Sequence, residues 1–226
     1  MKILTIAAHP DDEILGCGGF INRLTDSKDV AECLILATGA TSRHTKENEE
    51  SEKEIILLHN NAKEATSTIG YSEIYFEKFP DNRMDDVDLL DIIKIIENHI
   101  EKIKPDMILT HHCNDLNIDH KITFQAVITA CRPMAGSYVK KILSFETPSA
   151  TEWQFPYHKN SFAPNVFIDI TENLEIKLKA LSHYESEMRD TPHPRSNEKI
   201  RALAEYRGGI IGVKYAEAYE LIYEVL

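Results

Sequence analysis

The sequence predicts an α/β fold in which helices cover both faces of a mostly parallel sheet. Short apolar runs alternate along the chain with stretches whose apolar residues recur at helical spacing, as strand–helix–strand units require. The length of 226 residues and the hydrophobic fraction of 42% fit one sizeable domain, so we treat residues 1–226 as a single domain. A polar segment follows the first apolar run directly, at the strand end where such sheets bind ligands. These observations favour a Rossmann-like architecture.

The predicted strands are apolar runs that end at turn residues: Lys2–Ala8, Ala31–Thr38, Glu73–Phe79, Met107–Thr110, Lys141–Phe145 and Val166–Ile170. The predicted helices occupy the stretches between and after them: Glu13–Thr25, Lys46–Ile69, Val87–Ile103, His120–Cys131, Thr171–Glu187 and Glu198–Tyr206. The final apolar segment, Ala218–Val225, fits either type of element. The irregular stretch Thr147–Pro164 predicts a long loop over the site.

Composition narrows the class of protein. The formal net charge of −12 argues against a general nucleic-acid surface or an anionic-membrane surface, although a local basic pocket could still bind an anionic small substrate. The N-terminus shows no signal-peptide pattern, and no apolar run approaches the roughly 18 residues of a membrane span. The four cysteines are widely spaced and form no CxxC pair, so we expect reduced thiols in a cytoplasmic protein.

The first candidate site is the turn Ala8–Glu13, which follows the first strand and opens the first helix. His9 and Asp12 can both turn toward one metal ion, which leaves Asp11 free to act on a water molecule. A simpler interpretation is that Asp11 or Asp12 only caps the helix.

The second candidate site is the polar segment after the fourth strand, which contains three histidines and two aspartates: His111, His112, Asp115, Asp119 and His120. In the common doubly wound strand order, strands one and four are neighbours at the topological switch point. We therefore expect the two polar loops to meet in one crevice at the carboxyl ends of these strands.

The two motifs together resemble those of the PIG-L (LmbE-like) deacetylase family. Ala8–Glu13 is similar to the first family motif and Thr110–His120 to the second, while a weaker late motif is echoed by Lys177, Ala180, Ser186 and Glu187. Members of this family are zinc-dependent hydrolases that remove acyl groups, usually an acetyl group from an N-acetylglucosamine unit. The resemblance implies that His9, Asp12 and His120 bind one zinc ion per chain and that Asp11 is the general base. Two imidazoles and one carboxylate leave a fourth position for water, as catalytic zinc requires.

The chain departs from the family pattern at two positions. Asn117 stands where many members have a histidine that stabilises the oxyanion or protonates the amine, so we expect its amide to donate to the oxyanion without supplying a proton. Tyr184 stands where the late motif usually has a histidine. Asp119 precedes a helix, and the sequence leaves open whether it acts in the chemistry, caps the helix or orients a ligand histidine.

Four further residues are candidates for substrate binding: Arg43, Arg83, His112 and His193. An exposed loop role is the alternative for the arginines, and His111 and His112 alternate along the strand end, so only one of them is expected to face the crevice. Trp153 could stack on a sugar ring or belong to the core.

The sequence thus predicts a zinc-dependent N-deacetylase that acts on an acetamido sugar, a sugar nucleotide or a glycoconjugate. It leaves the acyl group, the aglycone and homo-oligomerisation open. The departures at Asn117 and Tyr184 motivate a second hypothesis, a metal-binding subunit with weak catalysis that binds sugars or assists assembly. A nucleotide-binding domain is disfavoured because Gly16, Gly18 and Gly19 do not have the dinucleotide-binding spacing and are better explained by tight helix packing.

Overall fold

The computed structural model describes residues 1–25, 27–39, 49–157 and 160–226. Within these ranges the strands are β1 (Lys2–Ala7), β2 (Val30–Ala37), β3 (Glu73–Phe79), β4 (Met107–His111), β5 (Lys141–Phe145), β6 (Val166–Asp169) and β7 (Ala216–Glu224). The helices are α1 (Asp12–Leu24), α2 (Glu49–Ile69), α3 (Leu89–Ile103), α4 (Ile118–Ala130), α5 (Leu174–Leu181) and α6 (Asn197–Ile211). Short 3₁₀ helices cover Met84–Asp86 and Glu152–Tyr157.

The seven strands form one sheet in the order β3-β2-β1-β4-β5-β7-β6. The first five strands in this order are parallel to one another, and β7 runs antiparallel to both of its neighbours. The predicted mostly parallel α/β sheet is confirmed, and β1 and β4 pair directly, with Ile3 opposite Met107 and Thr5 opposite Leu109. The carboxyl ends of β1 and β4 therefore lie side by side.

Helices cover both faces of the sheet because side chains alternate across each strand. Ile3 packs with α1, α2, α5 and α6 in one hydrophobic cluster, whereas the next residue, Leu4, packs with α3 and α4 in the other. Close packing also explains a glycine in α1, because a side chain at Gly16 would collide with the ring of Phe145. The central strands are consequently buried on both sides, which holds their polar carboxyl ends in fixed positions.

Several element boundaries differ from the prediction. The helix predicted over Thr171–Glu187 is confined to Leu174–Leu181, with turns after it, and the one predicted from His120 begins at Ile118. The first residues of the helix predicted over Lys46–Ile69 lie outside the described residues, and the structure has helix from Glu49 onwards. The final segment, whose type was open, is the nine-residue strand β7.

Candidate active site

The loops after β1 and β4 meet at the carboxyl edge of the sheet, as the strand order requires. The backbone N–H of Ala8 donates a hydrogen bond of 2.9 Å to His111 Nε2, which ties the end of β1 to the end of β4. His111 Nδ1 and Thr147 Oγ1 lie 3.3 Å apart. Burial lowers the pKa of His111 to about 3, so the ring is neutral and serves as an acceptor. His111 thus holds the two loops together.

His9, Asp12 and His120 converge on one point. Asp12 Oδ2 lies 3.3 Å from His9 Nδ1 and 3.2 Å from His120 Nε2. The side chains of Asp12 and His120 are buried and that of His9 is nearly so. All three offer ligand atoms within 4.8 Å of one another. The structure therefore brings together the three residues that the sequence predicts as metal ligands.

The donor set fits a divalent metal ion. Among the residues that the structure describes, Asp12 Oδ1 and both ring nitrogens of His120 are buried without a partner in hydrogen-bonding geometry. Burial opposes protonation of His120, but the carboxylates of Asp12 and Asp115 outweigh it and raise its pKa to about 9. Such an excess of buried negative charge is compensated by a cation. Two imidazoles and a carboxylate form a three-residue set of the kind that binds catalytic zinc.

Each of the two predicted ligand histidines has a carboxylate at the nitrogen that points away from Asp12. His9 Nε2 lies 2.9 Å from Asp119 Oδ2 and 3.2 Å from Asp81 Oδ1, and His120 Nδ1 lies 3.2 Å from Asp115 Oδ2. This arrangement fixes the orientation of a metal-binding imidazole and increases its basicity. Asp115 belongs to the second candidate segment, but neither it nor Asp81 was predicted to orient a ligand histidine, because neither differs in sequence from an ordinary loop aspartate.

Asp119 is itself held rigidly by the backbone. Its carboxylate accepts N–H bonds from Asn82 at 2.6 Å and from Met84 at 3.0 Å, both in the loop after β3. These bonds place the Asp119 carboxylate against His9, so the structure favours the orienting role among the three that the sequence left open.

Asp11 adopts an unusual conformation beside the ligand set. Its φ of 113° is sparsely populated for a residue with a side chain, and it occupies the cap position of α1 without making a side-chain capping bond. The carboxylate instead accepts a 2.5 Å hydrogen bond from Arg195 Nη1. Burial raises the pKa of the Asp11 carboxyl well above its usual value, and the Arg195 guanidinium opposes that rise. The Asp11 side chain therefore does not cap α1, contrary to the simpler interpretation of the sequence.

The contact of Arg195 with Asp11 is the main feature of the site that the sequence did not predict. Arg195 Nε donates 2.8 Å to Ser149 Oγ, which braces the guanidinium against the loop after β5. The backbone N–H of Arg195 donates 3.1 Å to His193 Nδ1. The segment Pro192–Arg195 contains two prolines and two basic side chains. This pattern predicts a rigid loop, but it does not predict which residues the loop contacts.

Tyr184 lies behind the site. Its hydroxyl donates a 2.5 Å hydrogen bond to Glu13 Oε1, and Glu13 Oε2 accepts 3.0 Å from the backbone N–H of Asp11. Burial raises the pKa of Glu13 to about 7. Tyr184 therefore braces the turn that carries Asp11.

Asn117 caps helix α4. Its Oδ1 accepts 2.8 Å from the backbone N–H of Asp119, and its Nδ2 donates 2.9 Å to Asn82 Oδ1. Both ends of the amide are thus engaged in joining the loops after β3 and β4. A donation to an oxyanion stays a prediction.

The four predicted substrate contacts have different surroundings. Arg83 is exposed near Asp81 and Asn82, whereas Arg43 lies outside the described residues. His112 is buried, with Nδ1 2.7 Å from Glu220 Oε2 and Nε2 3.2 Å from the carbonyl oxygen of Asn160. His193 packs edge-on against the ring of Trp153, with centroids 5.3 Å apart. Direct substrate contact by these four residues stays a prediction.

Sequence comparisons identify the family. The model of the family described as PIG-L, GlcNAc-PI de-N-acetylase, matches residues 4–131, which include both polar loops. The chain belongs to the PIG-L family. A relative from Escherichia coli, described as uncharacterized deacetylase YaiS, is 30% identical over 190 residues, which cover 81% of this chain and 90% of that protein. The diacetylchitobiose deacetylase of Thermococcus kodakarensis is 29% identical over 98% of this chain and 83% of its own length.

The fold is likewise similar to that of a solved deacetylase structure. The N,N′-diacetylchitobiose deacetylase from Pyrococcus horikoshii superposes with a TM-score of 0.75 at 23% identity, over 98% of this chain and 84% of that one. This PIG-L protein is accordingly a deacetylase-family hydrolase with a candidate metal site. No helix within the described ranges is long and apolar enough to cross a membrane.

Proposed function

We propose that this PIG-L protein is a zinc-dependent hydrolase that removes an acetyl group from the amide nitrogen of an acetamido sugar, a sugar nucleotide or a glycoconjugate. The observation that carries the proposal is the placement of Asp11, a buried carboxylate next to Asp12 of the convergent His9–Asp12–His120 set. The acetylated amino sugars acted on by the named relatives support this substrate class.

The residues present account for each proton transfer of an amide hydrolysis. When bound, a divalent ion supplies Lewis acidity, which lowers the pKa of water toward about 7 and polarises a carbonyl. Asp11 accepts the proton of the attacking water and then delivers it to the leaving amine. Asp11 is suited to both steps because burial favours its protonated form while Arg195 stabilises its ionised form.

The neighbouring histidines are less suited to act as the acid. His111 Nε2 already accepts the Ala8 N–H, and His112 is held by Glu220. Asn117 has no proton to supply at neutral pH. Asp11 therefore carries the proton in both directions in this proposal, while Asp119 and Asp115 orient the ligand histidines.

The competing hypothesis is a metal-binding subunit with weak catalysis. Its motivation was the departures at Asn117 and Tyr184, and both residues now have structural partners. The contact between Asp11 and Arg195 favours turnover, because a binding module has no evident need for a braced carboxylate next to the metal ligands.

The test is incubation of the zinc-loaded protein with a panel of N-acetylated sugars, sugar nucleotides and glycosides. We expect acetate and free amine to appear in equal amounts from at least one member of the panel. The matched control is Asp11→Asn, which should keep its metal and lose about 10²–10⁴-fold in rate. Release of acetate at the same rate by Asp11→Asn would contradict the assigned base, and no release from any acetamido sugar would contradict the function.

A further inference from the structure

An apolar platform lies at the rim of the candidate active site. Leu116, Trp153 and Phe155 are exposed by 50%, 37% and 71%, and with Gln154 they line an open cleft of about 520 Å³. Isolated apolar side chains are common on protein surfaces, but a group that lines one cleft is typical of a binding site.

Two separate connections join this platform to the candidate active site. Leu116 directly follows Asp115, whose carboxylate faces the ring of His120. Trp153 packs edge-on against His193, whose Nδ1 accepts the backbone N–H of Arg195, and the Arg195 side chain in turn bonds Asp11. The platform is therefore anchored both to the β4–α4 loop, whose Asp115 faces His120, and to the loop that holds the general base.

Its size suits a small-molecule group better than a protein partner. Ligand clefts typically measure about 300–1,000 Å³, a range that includes this one. A stable protein interface needs about 800 Å² and about 20–30 residues from each partner, far more than this platform supplies. Among the described residues that line it, none has a charged side chain, so they offer no ion pair to a phosphate or a carboxylate.

We propose that the acetamido sugar carries an apolar aglycone, aryl or alkyl, which lies on Leu116, Trp153 and Phe155 while the acetamido group reaches the metal ligands. This inference rests on the proposed function, because it extends the same substrate beyond the sugar ring. In this proposal the three platform residues select the aglycone, and the residues around Asp11 carry out the hydrolysis.

The first test compares the phenyl and methyl glycosides of N-acetylglucosamine, in both anomers, by acetate release. We expect kcat/KM for one phenyl glycoside to exceed that for its methyl counterpart by at least about tenfold, since burial of one aromatic group readily provides that factor. Phe155→Ala should bring the ratio toward one. The matched control is Met134→Ala, which removes a similarly exposed apolar side chain in the loop between α4 and β5 and should keep the ratio.

The second test measures binding without turnover. Trp153 is the single tryptophan of the chain, so tryptophan fluorescence reports directly on the platform. In the Asp11→Asn background we expect a saturable change with the phenyl glycoside, and at least about tenfold weaker binding of the methyl glycoside.

The outcomes separate this inference from the proposed function. Equal kcat/KM for the two glycosides would overturn the platform and leave the deacetylase function standing. Absence of acetate release together with a saturable phenyl-dependent signal would overturn the function and support the platform. A change of oligomeric state in Phe155→Ala would show instead that a second copy of the chain covers these side chains, and would overturn the inference.

Discussion

Replacing Asn117 with alanine separates a structural role from a catalytic one. The change removes the capping bond to the Asp119 N–H and the amide bond to Asn82, at 2.8 and 2.9 Å. Loss of an N-cap costs about 1 kcal/mol, and loss of an exposed hydrogen bond adds up to about 1 kcal/mol. For a chain of this size, a loss of about 1–2 kcal/mol lowers Tm by about 2–8 °C. Because Oδ1 and one of the two Nδ2 hydrogens already join the loops, we expect kcat per folded, metal-loaded enzyme to change by less than about threefold, in place of the larger loss that the oxyanion role predicted from the sequence would give.

The assay measures Tm, metal content and kcat on the same preparations of wild type, Asn117→Ala and Asn117→Ser. Serine is as good an N-cap as asparagine, so Asn117→Ser should recover most of the capping stability. An unchanged Tm with a kcat reduced at least about tenfold in both variants would refute the capping account and establish the oxyanion role, since removal of one oxyanion donor costs about 10²–10³ in rate.

Three further expectations follow from other contacts. Asp119→Asn should weaken metal binding by about 10–100-fold, measured by chelator competition, because the carboxylate that orients a ligand histidine is lost; unchanged affinity would remove Asp119 from that role. Arg195→Gln should lower kcat by at least about tenfold with metal retained, whereas Arg195→Lys should recover part of it, since either cation can hold Asp11; equal rates in wild type and Arg195→Gln would contradict this. His112→Gln should lower Tm most at about pH 4.3–6.5. Burial opposes both charges, but the contact between the two side chains raises the pKa of His112 and lowers that of Glu220. The stabilisation by this ion pair is therefore lost when the pH rises through the pKa of His112 or falls through the pKa of Glu220. A Tm difference independent of pH would contradict the ion pair.

The parallel strands were predictable because each is an apolar run that ends at turn residues. β7 was not, because its second half is only partly buried or exposed and its antiparallel pairing with β5 and β6 depends on strands distant in sequence. The helix predicted over Thr171–Glu187 was too long because apolar spacing continues past Leu181 into turns that bury Tyr184 against Glu13.

The convergence of the three predicted metal ligands was predictable for a different reason. His9, Asp12 and His120 lie in two short motifs whose meeting follows from the strand order alone. The contact between Asp11 and Arg195 joins residues 184 positions apart and depends on how one loop packs at the sheet edge, which residue types do not encode. The contact of Asp81 with His9 was not predictable either, since an aspartate at an active site and an aspartate in an ordinary turn look the same in the local sequence.

The metal content of purified wild type, His120→Ala and His111→Gln is a direct test of the assigned metal site. We expect about one divalent ion per chain in the wild type, as in a mononuclear zinc site, and almost none in His120→Ala. His111→Gln should keep its metal, because His111 Nε2 accepts the Ala8 N–H and is not assigned as a ligand. Full metal content in folded His120→Ala, or loss of metal in folded His111→Gln, would contradict the assigned site.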